Sequence, residues 1–124
     1  MKALLEDEQG SGDAALLWDR ASDVISASVG FVEMQAAIAR RVAVRRAPHL
    51  RRRATNLWQS VNVVDVDDAL VQAAARAAEE FRLRALDAVH LAAARSVASR
   101  DLVFATWDEE LSEAARAAGL AVAP

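Results

Sequence analysis

Three carboxylates in this 124-residue chain stand at predicted boundaries of helices and strands, where metal sites are usually built. Asp87 begins an alanine-rich segment, Asp108 closely follows the apolar run at 102–105, and Glu33 interrupts an apolar segment far upstream. Because the chain has no cysteine and two histidines, these oxygen ligands would suit a hard cation such as Mg²⁺ or Mn²⁺. Such a cation can activate water against a phosphodiester, with the Thr106 hydroxyl orienting the water or a carboxylate.

Each of these residues also has a purely structural interpretation. Asp is a preferred N-cap, so Asp87 and Asp108 could each do no more than begin a helix. Glu33 is harder to explain in this way, because it lies among apolar residues and a buried carboxylate needs a partner. His90, one helical turn after Asp87, is interpreted as a packed or surface histidine. The tryptophans are predicted to anchor a core or an interface: Trp18, Trp58 and Trp107.

A second signal is a dense run of arginines within a segment that contains no acidic side chain: Arg40, Arg41, Arg45, Arg46, Arg51, Arg52 and Arg53. The planar guanidinium group matches phosphate oxygens bidentately, so the run predicts a surface that follows an RNA backbone. Two alternatives stay open, namely a solvated helix face and a contact for an acidic partner segment. The net charge of −3 argues against bulk coating of nucleic acid but says nothing about a local patch.

Length and composition predict a single domain that is soluble and cytosolic. No apolar run approaches the roughly 18 residues that a membrane span needs. Acidic residues follow Met1 too soon for a secretory signal, and without cysteine there is no disulfide framework. Alanine is abundant and favours helix, so a helix-rich domain is expected.

The segments that must position these residues alternate between β-branched and alanine-rich. Strands are predicted at 23–27, 61–66, 102–106 and 120–123. Helices are predicted at 28–44, 48–59, 67–81, 86–99 and 108–118, with Ser28, Asp67 and Asp108 at their starts and Gly119 after the last one. Strands separated by helices imply a parallel sheet covered on both faces, whose strands end at one edge. Glu33 and Asp108 are expected at that edge, where ligands bind, and Asp87 could join them.

The segments 86–94 and 103–111 resemble the PIN-domain ribonucleases, specifically the VapC-type toxins, and the likeness extends from Leu4 to Pro124. The resemblance implies an α/β fold, a three-layer α/β/α PIN-like domain over residues 1–124 with a short parallel sheet. It implies a Mg²⁺-dependent endoribonuclease toxin, with Mn²⁺ as a possible substitute, that cleaves structured RNA of the tRNA or rRNA class. Glu33, Asp87 and Asp108 are then the acidic metal ligands, and Thr106 is the supporting hydroxyl.

The resemblance also implies partners. These are a VapB-like antitoxin whose tail occupies the active-site groove and a second copy of the chain in a homodimer. Contact with DNA is expected only through the antitoxin complex, and no contact with membranes is expected.

At the N-terminus the chain departs from the family pattern. The family begins with a central strand that carries a further Asp, and Lys2 resembles the lysine that follows it. We therefore expect that strand and that acidic ligand to be missing, through a misplaced start codon or through decay of the gene. The alternative function is a catalytically impaired PIN-like module that binds an antitoxin or RNA without cleaving. An unrelated phospho-acceptor domain is disfavoured, because the chain has no lysine beyond Lys2.

Overall fold

The computed structural model describes residues 10–124, in which helices and strands alternate as an α/β fold. The helices are α1 (Ser11–Arg20), α2 (Val29–Arg41), α3 (Ala47–Trp58), α4 (Asp68–Phe81), α5 (Ala85–Ser96) and α6 (Glu109–Ala117). The strands are β1 (Val24–Ala27), β2 (Val61–Val64), β3 (Val103–Ala105) and β4 (Ala121–Ala123). The chain divides into two compact units, the first ending at Val63 and the second beginning at Val64. That the whole chain is one domain stays a prediction.

In the first unit, α2 and α3 pack against each other through one apolar face each. The core of this contact is Met34, Ile38, Ala47, Leu50 and Ala54, and Phe31, Val42, Leu57 and Trp58 pack around it. Pro48, at the predicted start of the helix at 48–59, lies in the first turn of α3, where its missing N–H costs no helical hydrogen bond.

Two predictions about α2 are corrected, one on where the helix ends and one on how its start is capped. The helix ends at Arg41 and not near Val44, because Val42 is in extended backbone conformation (φ −110°, ψ 133°). The β-branched residues at 42 and 44 favour that conformation. Ser28 precedes α2 as predicted, but its side chain makes no capping hydrogen bond.

The first turn of α2 lies unusually close to its neighbours. A Cβ on Gly30 would stand 2.5 Å from the Ser26 Oγ and 3.4 Å from the Trp58 ring, so glycine permits this approach. The rings of Phe31 and Trp58 are 5.4 Å apart and tilted by 45°. These contacts fix the position of the helical turn that leads into Glu33.

In the second unit, α4 packs along α5, and α5 contacts α6. The buried side chains are mostly alanine: Leu70, Ala74, Ala77, Ala88, Leu91, Ala92, Ala93, Leu111, Ala114 and Ala115. Small side chains let neighbouring helices approach closely and fill the space between them. The buried face of α4 is apolar, with Ala78 and Phe81 half-buried at its margin.

The strands of the described residues form two sheets of two strands, and not the one sheet that was predicted. β1 pairs with β2, and β3 pairs with β4 in parallel, with Phe104 opposite Val122. Because α6 connects β3 to β4, these three elements make the predicted strand–helix–strand unit. β2 ends at Val64, two residues before the predicted end, since aspartates at 65 and 67 are poor strand formers and Asp67 caps α4.

No helix within residues 10–124 is both long and apolar enough to cross a membrane.

Candidate metal centre

Asp108 lies in the short loop between β3 and α6 and is held there by hydrogen bonds on both sides. Its Oδ1 accepts a hydrogen bond from the Leu111 backbone N–H at 3.0 Å, which caps α6 as predicted. The Asp108 N–H donates to the Thr106 Oγ1 at 3.2 Å. The Thr106 N–H in turn donates to the carbonyl of Ala123 at 2.9 Å. The carboxylate is therefore fixed relative to α6 and, through Thr106, relative to β4.

The Asp108 carboxylate has an oxygen available for a second role besides capping α6. The cap uses one of its two oxygens, and Asp108 is solvent-exposed. Glu109 and Glu110 follow in the first turn of α6, where negative charge is favourable at the positive end of the helix dipole. The second carboxylate oxygen is not needed by the helix, so Asp108 can cap α6 and bind a cation at the same time.

Asp87 lies in the first turn of α5, and its position corrects one alternative interpretation. The residue at the N-cap position is Arg84, with extended backbone (φ −67°, ψ 156°) and no side-chain capping bond. Asp87 is thus not the N-cap of α5, and it is half-buried beside the buried Ala88. A half-buried carboxylate that does not serve as the helix cap leaves the functional interpretation of Asp87 open.

Glu33 lies in the first unit, whereas Asp87, Thr106 and Asp108 lie in the second. It is half-buried on α2, between Val32, which is 66% exposed, and Met34, which is 8% exposed. Among residues 10–124, no three His, Asp or Glu side chains form a group that could hold a metal ion. The convergence of Glu33 with Asp87 and Asp108 therefore stays a prediction.

The donor chemistry of the second unit fits a hard divalent cation. Asp87 and Asp108 both offer carboxylate oxygens at the starts of α5 and α6, two helices that contact each other. Mg²⁺ is commonly held through one or two carboxylates and keeps several waters. His90, one turn after Asp87, is half-buried.

The structure adds one feature that the sequence did not indicate, the Ala123 carbonyl that holds Thr106. A backbone acceptor carries no side-chain signal, and only the parallel pairing of β3 with β4 would have pointed to it.

The seven arginines of the sequence pattern lie at the end of α2, in the linker at 42–46 and on α3, and all are exposed.

Comparison with known proteins gives a consistent result. The PIN domain model matches residues 1–117. Two relatives from Mycobacterium tuberculosis, Ribonuclease VapC45 of strain CDC 1551 / Oshkosh and Ribonuclease VapC49 of strain ATCC 25618 / H37Rv, are each 36% identical to this chain over 129 aligned positions. Each alignment covers 98% of this chain and 88% of the relative. No solved structure matches the chain. These matches, with the α/β elements described above, show that the chain belongs to the PIN-domain family as a VapC-type member.

Proposed function

We propose that this protein is the toxin of a type II toxin–antitoxin system and acts as a metal-dependent endoribonuclease. The observation that carries the proposal is its 36% identity, over 98% of its length, to two proteins that bear the name ribonuclease. Asp87 and Asp108 lie inside the matched region, each at the start of a helix, which supports their assignment as the reactive centre.

Asp87 and Asp108 hold a divalent cation in this proposal, and Glu33 contributes the third carboxylate. Mg²⁺ is the expected ion, with Mn²⁺ as a substitute, because both prefer oxygen donors. When bound, the ion supplies Lewis acidity toward a phosphate oxygen and makes nearby water more acidic. Thr106 acts as a positioning residue, since its hydroxyl accepts the N–H of Asp108 and so holds that carboxylate in place.

The proposed partners follow from the same family membership. A VapB-like antitoxin blocks the site, RNA of the tRNA or rRNA class is the substrate, and the working form is a cytoplasmic homodimer in which each copy is one domain. Contact with DNA would occur only through the antitoxin complex.

The test is an RNA cleavage assay with matched aspartate variants. Purified protein is incubated with total tRNA in Mg²⁺, in Mn²⁺ and in excess EDTA. Asp87→Asn and Asp108→Asn each remove one charge from the proposed site, and Asp101→Asn removes one from an exposed loop residue outside it.

We expect metal-dependent cleavage that falls by about 10²-fold in the two site variants, equivalent to about 2.7 kcal/mol of transition-state stabilisation. The Asp101→Asn variant should retain the wild-type rate. Cleavage that persists in EDTA, or equal losses in all three variants, would overturn the proposal.

One observation favours a second candidate, a PIN-like module that binds an antitoxin or RNA without cleaving. Within the described part of the chain no group of three ligating side chains is found. Antitoxin or RNA binding with no cleavage in either metal would assign the protein to this second class.

A further inference from the structure

A band of positive charge covers one part of the first unit. It comprises the exposed side chains of Arg40, Arg41, Arg45, Arg46, Arg51, Arg52 and Arg53, here called the arginine surface. These residues run from the last turn of α2 through the linker at 42–46 to the middle of α3. The sequence contains no acidic residue between Glu33 and Asp65, so this stretch of the chain carries only positive side-chain charge.

The packing of α3 forces its arginines outward. Ala47, Leu50 and Ala54 are spaced by three and four residues and form the buried face of the helix. With 3.6 residues per turn, Arg52 lies on the side of α3 opposite that face, and Arg51 and Arg53 lie on either side of Arg52. The remaining exposed positions of α3 include Thr55 and Asn56, so the outward face is polar throughout its second half.

The composition of the arginine surface favours a polyanion over a protein partner. Protein interfaces are built around an apolar core rich in aromatic side chains and methionine, and the arginines enriched in them accompany that core. From Arg40 to Arg53 the only large apolar side chain that is substantially exposed is Val44, at 90%. A protein docked here would have to cover many guanidinium groups with little apolar contact in return. A phosphate backbone instead accepts hydrogen bonds from each guanidinium fork.

We propose that the arginine surface binds the phosphate backbone of RNA. The proposal rests on the proposed ribonuclease function and adds which part of the chain holds the substrate. The helical span from residue 46 to residue 53 is about 10 Å at 1.5 Å per residue. At the roughly 3.4 Å by which successive phosphates of a DNA duplex strand rise, this span matches about three phosphates.

The salt dependence of binding measures such contacts. Each neutralised phosphate contributes about 0.7 (single strand) to 0.9 (duplex) to the slope of log affinity against log salt. Removing four arginines that contact phosphate should therefore reduce the slope by about 3. A surface that only carries charge near the RNA, without contact, would change the slope much less.

The experiment measures fluorescence anisotropy of a fluorescein-labelled RNA hairpin in EDTA, over a series of NaCl concentrations. The test variant combines Arg45→Ala, Arg46→Ala, Arg51→Ala and Arg52→Ala. The matched control combines exposed arginines of the second unit: Arg76→Ala, Arg95→Ala, Arg100→Ala and Arg116→Ala. Both variants lose four positive charges, so they differ only in where the charge is removed. If the test variant does not fold by circular dichroism, glutamine replacements at the same positions take its place.

We expect the test variant to bind at least about tenfold more weakly at low salt with a slope reduced by about 3, and the control variant to keep the wild-type slope. Equal changes in the two variants, or an unchanged slope in the test variant, would overturn the proposal. A test variant that loses binding to labelled polyglutamate but keeps binding to RNA would also overturn it, by assigning the surface to an acidic protein segment.

The two proposals can fail separately, because EDTA abolishes metal-dependent cleavage while binding is measured. If the slope falls as expected in the test variant but the wild type does not cleave RNA in Mg²⁺ or Mn²⁺, the proposal for the arginine surface holds and the ribonuclease proposal is wrong. If the wild type cleaves RNA but the slope is unchanged in the test variant, the ribonuclease proposal holds and the proposal for the arginine surface is wrong.

Discussion

Substitution of Asp108 should separate its structural role from its proposed metal role. Asn retains a side-chain oxygen that can accept the 3.0 Å hydrogen bond from the Leu111 N–H, and Asn and Asp are about equally good N-caps. Asp108→Asn should therefore cost at most about 0.5 kcal/mol of unfolding free energy, from the weaker interaction with the helix dipole. Asp108→Ala loses the capping bond and should cost about 1 kcal/mol.

Asp67 provides the matched control, because it caps α4 in the same way. Its Oδ1 accepts a hydrogen bond from the Leu70 N–H at 2.8 Å, and its backbone is also extended. Asp67→Ala should destabilise the protein as much as Asp108→Ala does, by about 1 kcal/mol. RNA cleavage should nevertheless be lost in both Asp108 variants and retained in Asp67→Ala and Asp67→Asn.

The assay pairs urea unfolding, followed by far-UV circular dichroism, with cleavage rates measured at a temperature where all variants are folded. The decisive variant is Asp108→Asn, in which stability is kept and only the charge is removed. A wild-type cleavage rate in Asp108→Asn would refute the metal role and leave Asp108 as a helix cap. Loss of cleavage in the Asp67 variants as well would show that the rate follows stability and not the carboxylate.

Three further substitutions test the packing and the positioning contacts. Thr106→Val removes the acceptor of the Asp108 N–H and should lower the cleavage rate severalfold, whereas Thr106→Ser should restore it; equal rates in the two would exclude a positioning role. Gly30→Ala should cost about 1–3 kcal/mol in urea unfolding, and less in a Ser26→Ala background, because that change removes the Oγ that would stand 2.5 Å away; additive costs would contradict the contact. Leu91→Ala, at a side chain with no exposed surface, should cost about 2–5 kcal/mol, and a loss below about 1 kcal/mol would contradict its place in the core.

The features that the sequence predicted well depend on residues close together in the chain. Asp67 and Asp108 each bond to an N–H three residues later, and Pro48 needs only the geometry of the first helical turn. All the residues that determine such a feature lie within one or two helical turns of each other. The same locality explains the confirmed order of strands and helices from β1 to β4.

The features that were predicted wrongly depend on more distant contacts or on competition between neighbouring residues. The alternative interpretation of Asp87 as a helix cap was wrong, because the extended backbone at Arg84 places Asp87 inside the first turn of α5. Pairing of the strands into two sheets is a long-range property that periodicity cannot specify. The end of α2 was misplaced because helix propensity around Val42 is opposed by its β-branched side chain.

The candidate site also combines residues that local sequence could identify with one whose place depends on distant contacts. Residue type and position in the chain were enough to single out Asp87, Thr106 and Asp108, and the structure places all three in the second unit. Whether Glu33 joins them depends on tertiary contacts that no local pattern encodes. Its assignment comes from the family resemblance and from its position among apolar residues of α2.

Mn²⁺ binding, measured by electron paramagnetic resonance on the full chain, tests the central claim most directly. The claim is that Glu33, Asp87 and Asp108 serve one cation. Glu33→Gln, Asp87→Asn and Asp108→Asn should each weaken Mn²⁺ binding by about tenfold or more, and Asp101→Asn should not. The combined loss in Glu33→Gln with Asp108→Asn should be smaller than the product of the single losses, because the proposal assigns both side chains to the same cation. Wild-type affinity in Asp87→Asn and Asp108→Asn would contradict the metal centre itself, and wild-type affinity in Glu33→Gln alone would remove Glu33 from it.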